Sequence, residues 1–309
     1  MWRYFKDKKD YLNYLFKNNN YDIKNKCEQE LKNYANRIVT FLFDFFVLFF
    51  YSERSFIIMS IINTFDNKTK EILTPQNLVD KIENFPEVAI LIFKERFFNY
   101  LQEEYGMKII GHVNAGIFIP IYKLNFHGKE FAITRTTIGG AGTAGTAEEL
   151  IAMGAKKILI YGTCGTLDKD ILKGHFVIPT DAYRDEGTSY HYVEPSDYIE
   201  VKTANKLCSI FDELNIPYVK GKTWTTDAMY RETIGNMTKR KEDGCIVVEM
   251  ECASIMAVSQ FRNIPIYQFL YGDDTLDGTE WDRRKIDDSS KQLMERNILD
   301  LGFRIAEKL

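Results

Sequence analysis

The sequence predicts an α/β fold: a three-layer α/β/α domain with a mixed central sheet, spanning Thr74 to Leu309. Three observations predict it. The stretch Gly244–Gly278 reads as strand, helix, strand and acidic loop. Cys245–Val248 is a short apolar run, Ala253, Met256, Ala257 and Phe261 recur at helical spacing, Pro265 ends the crossover, and Ile266–Tyr271 is a second apolar run. Further apolar runs, Val88–Phe93 and Ile158–Tyr161, have the length of buried strands. Finally, Ile117–Leu124 and Phe131–Thr134 flank the turn Asn125–Lys129, which reads as a hairpin within a chain of alternating strands and helices.

In chain order, residues 1–58 differ from the rest. Met1 to Arg37 is rich in Lys, Asn and Tyr, and Phe41–Tyr51 is a dense aromatic run. That run is shorter than the roughly 20 residues a spanning helix needs, and Asp44 interrupts it. No small-residue cleavage site follows it. Three readings stand: an amphipathic helix that packs on the domain or a partner, a membrane-surface segment, or residues upstream of a physiological start at Met59. Helices are expected at Gln76–Asn84 and Phe97–Tyr105. His127-Gly128 falls at the hairpin tip, which makes His127 turn material. Ile138–Gly145 carries Gly139, Gly140, Gly142 and Gly145 ahead of a helix at Ala147–Met153, and such a loop lets backbone N–H groups approach an anion. Phe176–Pro179 reads as a strand, with His175 at its start. Thr203–Leu214 is an amphipathic helix and Tyr218–Lys222 an extended segment. Ser290–Glu307 is a long helix whose stripe of Leu293, Ile298, Leu301 and Ile305 is expected to pack on the sheet.

Composition narrows the class. The chain has 309 residues, 45% of them apolar, enough for an enzyme-sized core of about 250 residues plus an extension. A net charge of −4 offers no nucleic-acid surface. Cys27, Cys164, Cys208, Cys245 and Cys252 are scattered, without metal-ligand spacing, and read as reduced thiols of a cytoplasmic protein. No metal or cofactor is expected.

The acidic groups of Gly244–Gly278 lie where open α/β sheets bind ligands, at the carboxyl ends of parallel strands. Glu249-Met250-Glu251 ends one strand, and Gly272-Asp273-Asp274 ends the next. Taken locally, such a Glu is equally a helix-start partner and such an Asp pair equally a turn. Together, VEMECASIMAVSQFRNIP and YGDD resemble the nucleoside phosphorylase–nucleosidase superfamily, of the purine nucleoside and uridine phosphorylase type, and the resemblance extends from about Val88 to the C-terminus.

What the resemblance implies is specific. Met250 and Glu251 hold ribose, and His191, in the polar and aromatic run Arg184–Tyr192, contacts a sugar hydroxyl. Gap-free counting from Glu251 puts the acid that protonates the leaving base at Asp274, with Asp273 beside the base. Thr163, in Gly162-Thr163-Cys164-Gly165, binds phosphate together with Gly139 and Gly140. Trp224, Met229 and Tyr230 form the wall of the base pocket. Two departures affect the phosphate end: the family's Gly-Asp-Pro-x-x-Arg loop is replaced by Phe93-Lys94-Glu95-Arg96, and Ile160 stands where several relatives have Arg. Arg135, just before the Gly-rich loop, is the substitute candidate. The uracil-reading Gln and Arg of the uridine branch are not matched by Arg231-Glu232-Thr233. The implied reaction is phosphorolysis of a nucleoside, purine favoured, with inorganic phosphate as co-substrate. Uridine cleavage, hydrolysis by water, and non-catalytic nucleoside binding remain as alternatives. The resemblance also implies a homo-oligomer, dimer or hexamer.

Overall fold

A computed structural model describes residues 29–37, 60–114, 118–278 and 280–309. The chain divides into two units, Met1–Met59 and Ser60–Leu309. In the first, residues 29–37 are helical. The aromatic run Phe41–Tyr51, with its three readings, lies outside the described residues. Among the described residues, no helix is long and apolar enough to cross a membrane.

The second unit begins at Ser60, and residues 60–73 are part of it: Glu71 accepts from Arg262 at 2.7 Å, and Phe65 meets the ring of Phe261 edge-on. Its strands are β1 (Val88–Ile92), β2 (Lys108–Val113), β3 (Ile119–Phe126), β4 (Lys129–Arg135), β5 (Lys157–Thr166), β6 (Phe176–Asp185), β7 (Tyr198–Glu200), β8 (Tyr218–Thr226), β9 (Cys245–Glu249) and β10 (Ile266–Thr275). Its α-helices are α1 (Arg96–Tyr105), α2 (Gly140–Met153), α3 (Ala204–Glu213), α4 (Ile234–Glu242), α5 (Cys252–Arg262) and α6 (Asp288–Lys308). The mixed sheet and flanking helices make the expected three-layer α/β/α fold. Helix α2 packs on α5, and α3 packs on α6.

The sheet runs β10-β6-β8-β9-β5-β1-β4-β3-β2, and β10 also pairs with β5. That second pairing closes β10, β6, β8, β9 and β5 into a ring, from which β1, β4, β3 and β2 extend. Strand β1 pairs in parallel with β4 on one side and β5 on the other, which explains its unbroken apolar sequence: all five residues are buried. Strand β5 continues in parallel along β10 from Ile158↔Ile266 to Thr166↔Thr275. The ring is sealed by two short antiparallel contacts, β5 to β9 at Gly165↔Val248 and Thr166↔Val247, and β10 to β6 at Leu270↔Val177.

Several elements depart from the sequence-based expectation. Strands β5, β6, β8 and β10 each run past their apolar segments into polar residues, because those residues line the ring. The Gly-rich segment is mostly helix: α2 starts at Gly140, and only residues 136–139 form the loop. The reason is close packing, since a Cβ at Gly140 would lie 2.0 Å from Ser254 Oγ of α5. The region expected as a helix at Gln76–Asn84 forms only a 3-10 turn, Pro75–Asn77. On α6, Ile298, Leu301 and Ile305 are buried as expected, whereas Leu293 is exposed. The hairpin tip is as read, with His127 and Gly128 both at positive φ.

Candidate active site

The centre of the site is the last part of β5, Thr163–Gly165, expected as a turn and found in the strand. Thr163 is half-buried, and its hydroxyl has no hydrogen-bond partner among the described residues. Cys164 behind it is buried, and its thiol is pushed well up by burial and then by the charges of Glu249, Asp274 and Asp273. Gly165 is glycine because two strands meet over it: a Cβ there would lie 3.0 Å from Val248 and 3.4 Å from Asp274 Oδ1.

Strand β9 leads into the Glu249-Met250-Glu251 segment. Glu249 is buried and structural. Its Oε1 accepts from Thr225 at 2.6 Å and Thr223 at 3.3 Å, and its Oε2 accepts from the backbone N–H groups of Glu251 at 2.9 Å and Cys252 at 2.7 Å. It thereby fixes the first turn of α5. Burial raises its carboxyl, and these four donors oppose the rise. Glu251, at the N-cap of α5, accepts from Gly139 N–H at 2.7 Å. Gly139 has φ 97°, a conformation that favours glycine, so the β4–α2 loop and the Glu251 carboxyl are set by one contact. No cation pairs with Glu251 among the described residues. Burial, and then the charge of Glu249, push it up to about 8. Met250, beside it, is half-buried. Further acid lines this side: buried Glu186 accepts from Ser254 Oγ at 2.5 Å, and Asp227 accepts from Gly187 N–H at 3.1 Å.

Strand β10 supplies the acid end and separates the adjacent aspartates. Gly272 pairs with Cys164 and Asp274 with Gly165, which leaves Asp273 as the extra residue of a β-bulge. Asp273 is tied to Lys173, whose Nζ lies 2.6 Å from its Oδ1. Asp274 has no ion-pair partner among the described residues. Its Oδ2 accepts from the Trp281 indole N–H at 2.5 Å. Burial raises Asp274, with the Asp273 charge adding to the rise and the Trp281 hydrogen bond opposing it.

Other expected site residues are engaged elsewhere. Trp224 is in the core, 1% exposed, beside Leu167, Met237, Cys245 and Val248, with its N–H donated to Asp185 at 3.0 Å. It has no open face for stacking. Met229 and Tyr230, on the 3-10 turn Met229–Arg231, are exposed. His191 is exposed and faces Thr64, 3.4 Å from its hydroxyl. Arg135 at the end of β4 is paired with Glu95 at 2.9 Å. Lys94 pairs with Glu295 at 3.0 Å, and Arg96 pairs with the same carboxylate. Phe93 packs over Gly162, where a Cβ would lie 2.9 Å from its ring. The sequence reading missed Glu186, Trp281 and the structural role of Glu249. For Glu249 the signal was present, since an acid immediately before a helix start is placed to accept its free N–H groups.

The strands that close the ring, β9 and β10, carry Glu249, Glu251, Asp273 and Asp274 at or just beyond their carboxyl ends. The chain belongs to the phosphorylase superfamily, an enzyme family that includes pentosyltransferase nucleoside phosphorylases, and residues 88–299 match it. It is 28% identical over 197 residues to a purine nucleoside phosphorylase of Plasmodium falciparum, covering 60% of this chain and 77% of that protein. It is 34% identical over 107 residues to a uridine phosphorylase of Thermococcus kodakarensis, covering 34% of this chain and 39% of that protein. In fold it is similar to an AMP nucleosidase of Bacteroides thetaiotaomicron, with a TM-score of 0.60 at 20% identity, over 76% of this chain and 96% of that one.

Proposed function

We propose that the protein is a nucleoside phosphorylase that cleaves the N-glycosidic bond of a purine nucleoside with inorganic phosphate, giving free base and ribose 1-phosphate. The observation that carries this reading is the placement of Asp274: half-buried, without an ion-pair partner among the described residues, and next to Gly165 on the strand paired with Thr163, while Asp273 is neutralised by Lys173. A carboxyl raised by burial is suited to protonate purine N7 as the C1′–N9 electron pair moves onto the base. Glu251 accepts hydrogen bonds from the ribose hydroxyls, and Met250 packs on the sugar face. Thr163 and the N-terminus of α2, with Gly139 and Gly140, receive phosphate beneath C1′, and most of the acceleration comes from this positioning and the fixed dipoles. Met229 and Tyr230 cover the base. No resident cofactor takes part, and phosphate is a co-substrate.

One observation favours a second reading, a nucleosidase that uses water. Lys94, Arg96 and Arg135 are each already paired with a carboxylate at the end where phosphate would enter. Incubating the protein with inosine, guanosine, adenosine and uridine, with and without phosphate, separates the two. Phosphorolysis gives ribose 1-phosphate only when phosphate is present, and a rate indifferent to phosphate selects hydrolysis. In the first case Thr163→Ala raises the phosphate KM about 5–30-fold, the loss of about 1–2 kcal/mol expected for one hydrogen bond to an anion.

The same reading carries a homo-oligomer, dimer or hexamer. Sedimentation at micromolar concentration is expected to give a mass at least twice that of the chain, and a fully active monomer would rule it out.

A further inference from the structure

A basic cavity of about 210 Å³ opens beside the end of β10, lined by Lys173, Arg283, Lys285, Ile286, Asp288 and Lys291. Its walls are built by contacts between three segments. Lys173 Nζ donates to Asp273 O at 2.7 Å and to Arg283 O at 3.4 Å, which joins the loop before β6 to β10 and to the segment that follows it. Arg284, at φ 48°, donates to the carbonyls of Ile171 and Lys169, the latter at 3.2 Å, and fastens the same loop from the other side. Helix α6 makes the third wall. Gly174, at φ 82°, packs so close to it that a Cβ would lie 3.1 Å from Met294 Sδ. Asp287 caps its first turn by accepting from Ser290 N–H at 2.9 Å. That turn brings Asp288 and Lys291, three residues apart, to the cavity.

The charges of this lining do not balance. Lys173 is matched by Asp273, whose Oδ1 lies 2.6 Å from its Nζ. The side chains of Arg283, Lys285 and Lys291 have no ion pair or hydrogen bond among the described residues, and Asp288 is the one carboxylate of the lining. Three unmatched cations against one carboxylate leave an excess of two positive charges. A carboxylate ligand would cancel half of that excess, whereas a phosphoryl group carries about −1.5 to −2 at neutral pH. The Arg283 guanidinium adds a planar fork of donors suited to phosphoryl oxygens. The volume suits one such group with a few waters, at roughly 30 Å³ per water. We propose that this cavity binds a phosphoryl anion, as inorganic phosphate or as a phosphate monoester, in addition to the co-substrate phosphate assigned to Thr163. The site stands on its own lining and does not depend on the reading of the reaction.

The test is calorimetric titration of the full-length protein with glycerol 2-phosphate, a monoester without base or ribose, and separately with inorganic phosphate. Wild type is compared with the double variant Lys285→Ala, Lys291→Ala. Both side chains are on the surface of the fold, and thermal unfolding checks that the variant is folded. Wild type is expected to take up one glycerol 2-phosphate per chain, and the double variant to bind it at least about tenfold more weakly, as for the loss of two charge-assisted contacts. Lys285→Arg, Lys291→Arg keeps the charge and is expected to keep the binding. Uptake of inorganic phosphate that the double variant weakens, with no uptake of the monoester, assigns the cavity to the free anion. No binding of either anion to wild type, or equal binding to wild type and the double variant, overturns the proposal. So does a matching rise in the phosphate KM for inosine cleavage in the double variant, which would make the cavity part of the co-substrate site. Absence of ribose 1-phosphate from the reaction would sink the phosphorylase reading and leave the titrations unaffected, so the two fail on different measurements.

Discussion

Asp274→Asn is expected to lower kcat for a purine nucleoside by about 10²–10⁴-fold, the range lost when a positioned general acid is removed, with KM changed far less. The amide keeps the shape of the side chain and can still accept the Trp281 N–H, so the loss reports the missing proton. Asp273→Asn is the control. That side chain is the bulge residue tied to Lys173, and its replacement is expected to cost less than tenfold, on the order of a surface ion pair. Steady-state kinetics on both variants decide the assignment: a crippled Asp273→Asn with an active Asp274→Asn places the acid one residue earlier. Near-wild-type rates in both, with uridine the better substrate, reject the purine reading, because uracil has no N7 to protonate.

Glu251→Ala carries the other large effect. A carboxylate that accepts from two ribose hydroxyls makes charge-assisted bonds of about 1.5–3 kcal/mol each, so kcat/KM for a ribonucleoside is expected to fall on the order of 10²–10⁴-fold. A 2′,3′-dideoxy substrate has nothing to donate, and its kcat/KM should hardly differ between wild type and variant. Equal losses on both substrates would show that Glu251 acts through the loop it anchors at Gly139 rather than through the sugar. Thermal unfolding of the variant guards against a general loss of structure.

The strands legible in the sequence were those whose burial is symmetric. Val88–Ile92 and the first halves of β5 and β10 are continuous apolar runs because each is covered on both faces. Their polar continuations, Gly162–Thr166 and Gly272–Thr275, read as loops, since nothing local shows that a second pairing closes the sheet on itself. For the same reason the positions of Thr163, Glu251 and Asp274 could be read from the motif, and their surroundings could not. Trp224 illustrates the limit: its segment was legible, but the face it turns to the core depends on Leu167, Met237 and Cys245, which are distant in sequence. The paired states of Lys94 and Arg96 were hidden too, because Glu295 lies on the last helix, and that of Arg135 because Glu95 lies on the far side of two intervening strands.

The ring has a consequence for how the enzyme comes into being. Its closing strand, β10, is the last of the described strands in chain order, and it pairs with β5 and β6 across the whole intervening sequence. A nascent chain halted before Ile266 therefore exposes two unsatisfied strand edges, the kind that recruit other chains. Closure is a non-local event that pays its loop entropy late, which makes it a candidate for the slow step of folding. The strand that removes those edges also carries Asp274, the proposed acid, so on that assignment maturation and competence coincide.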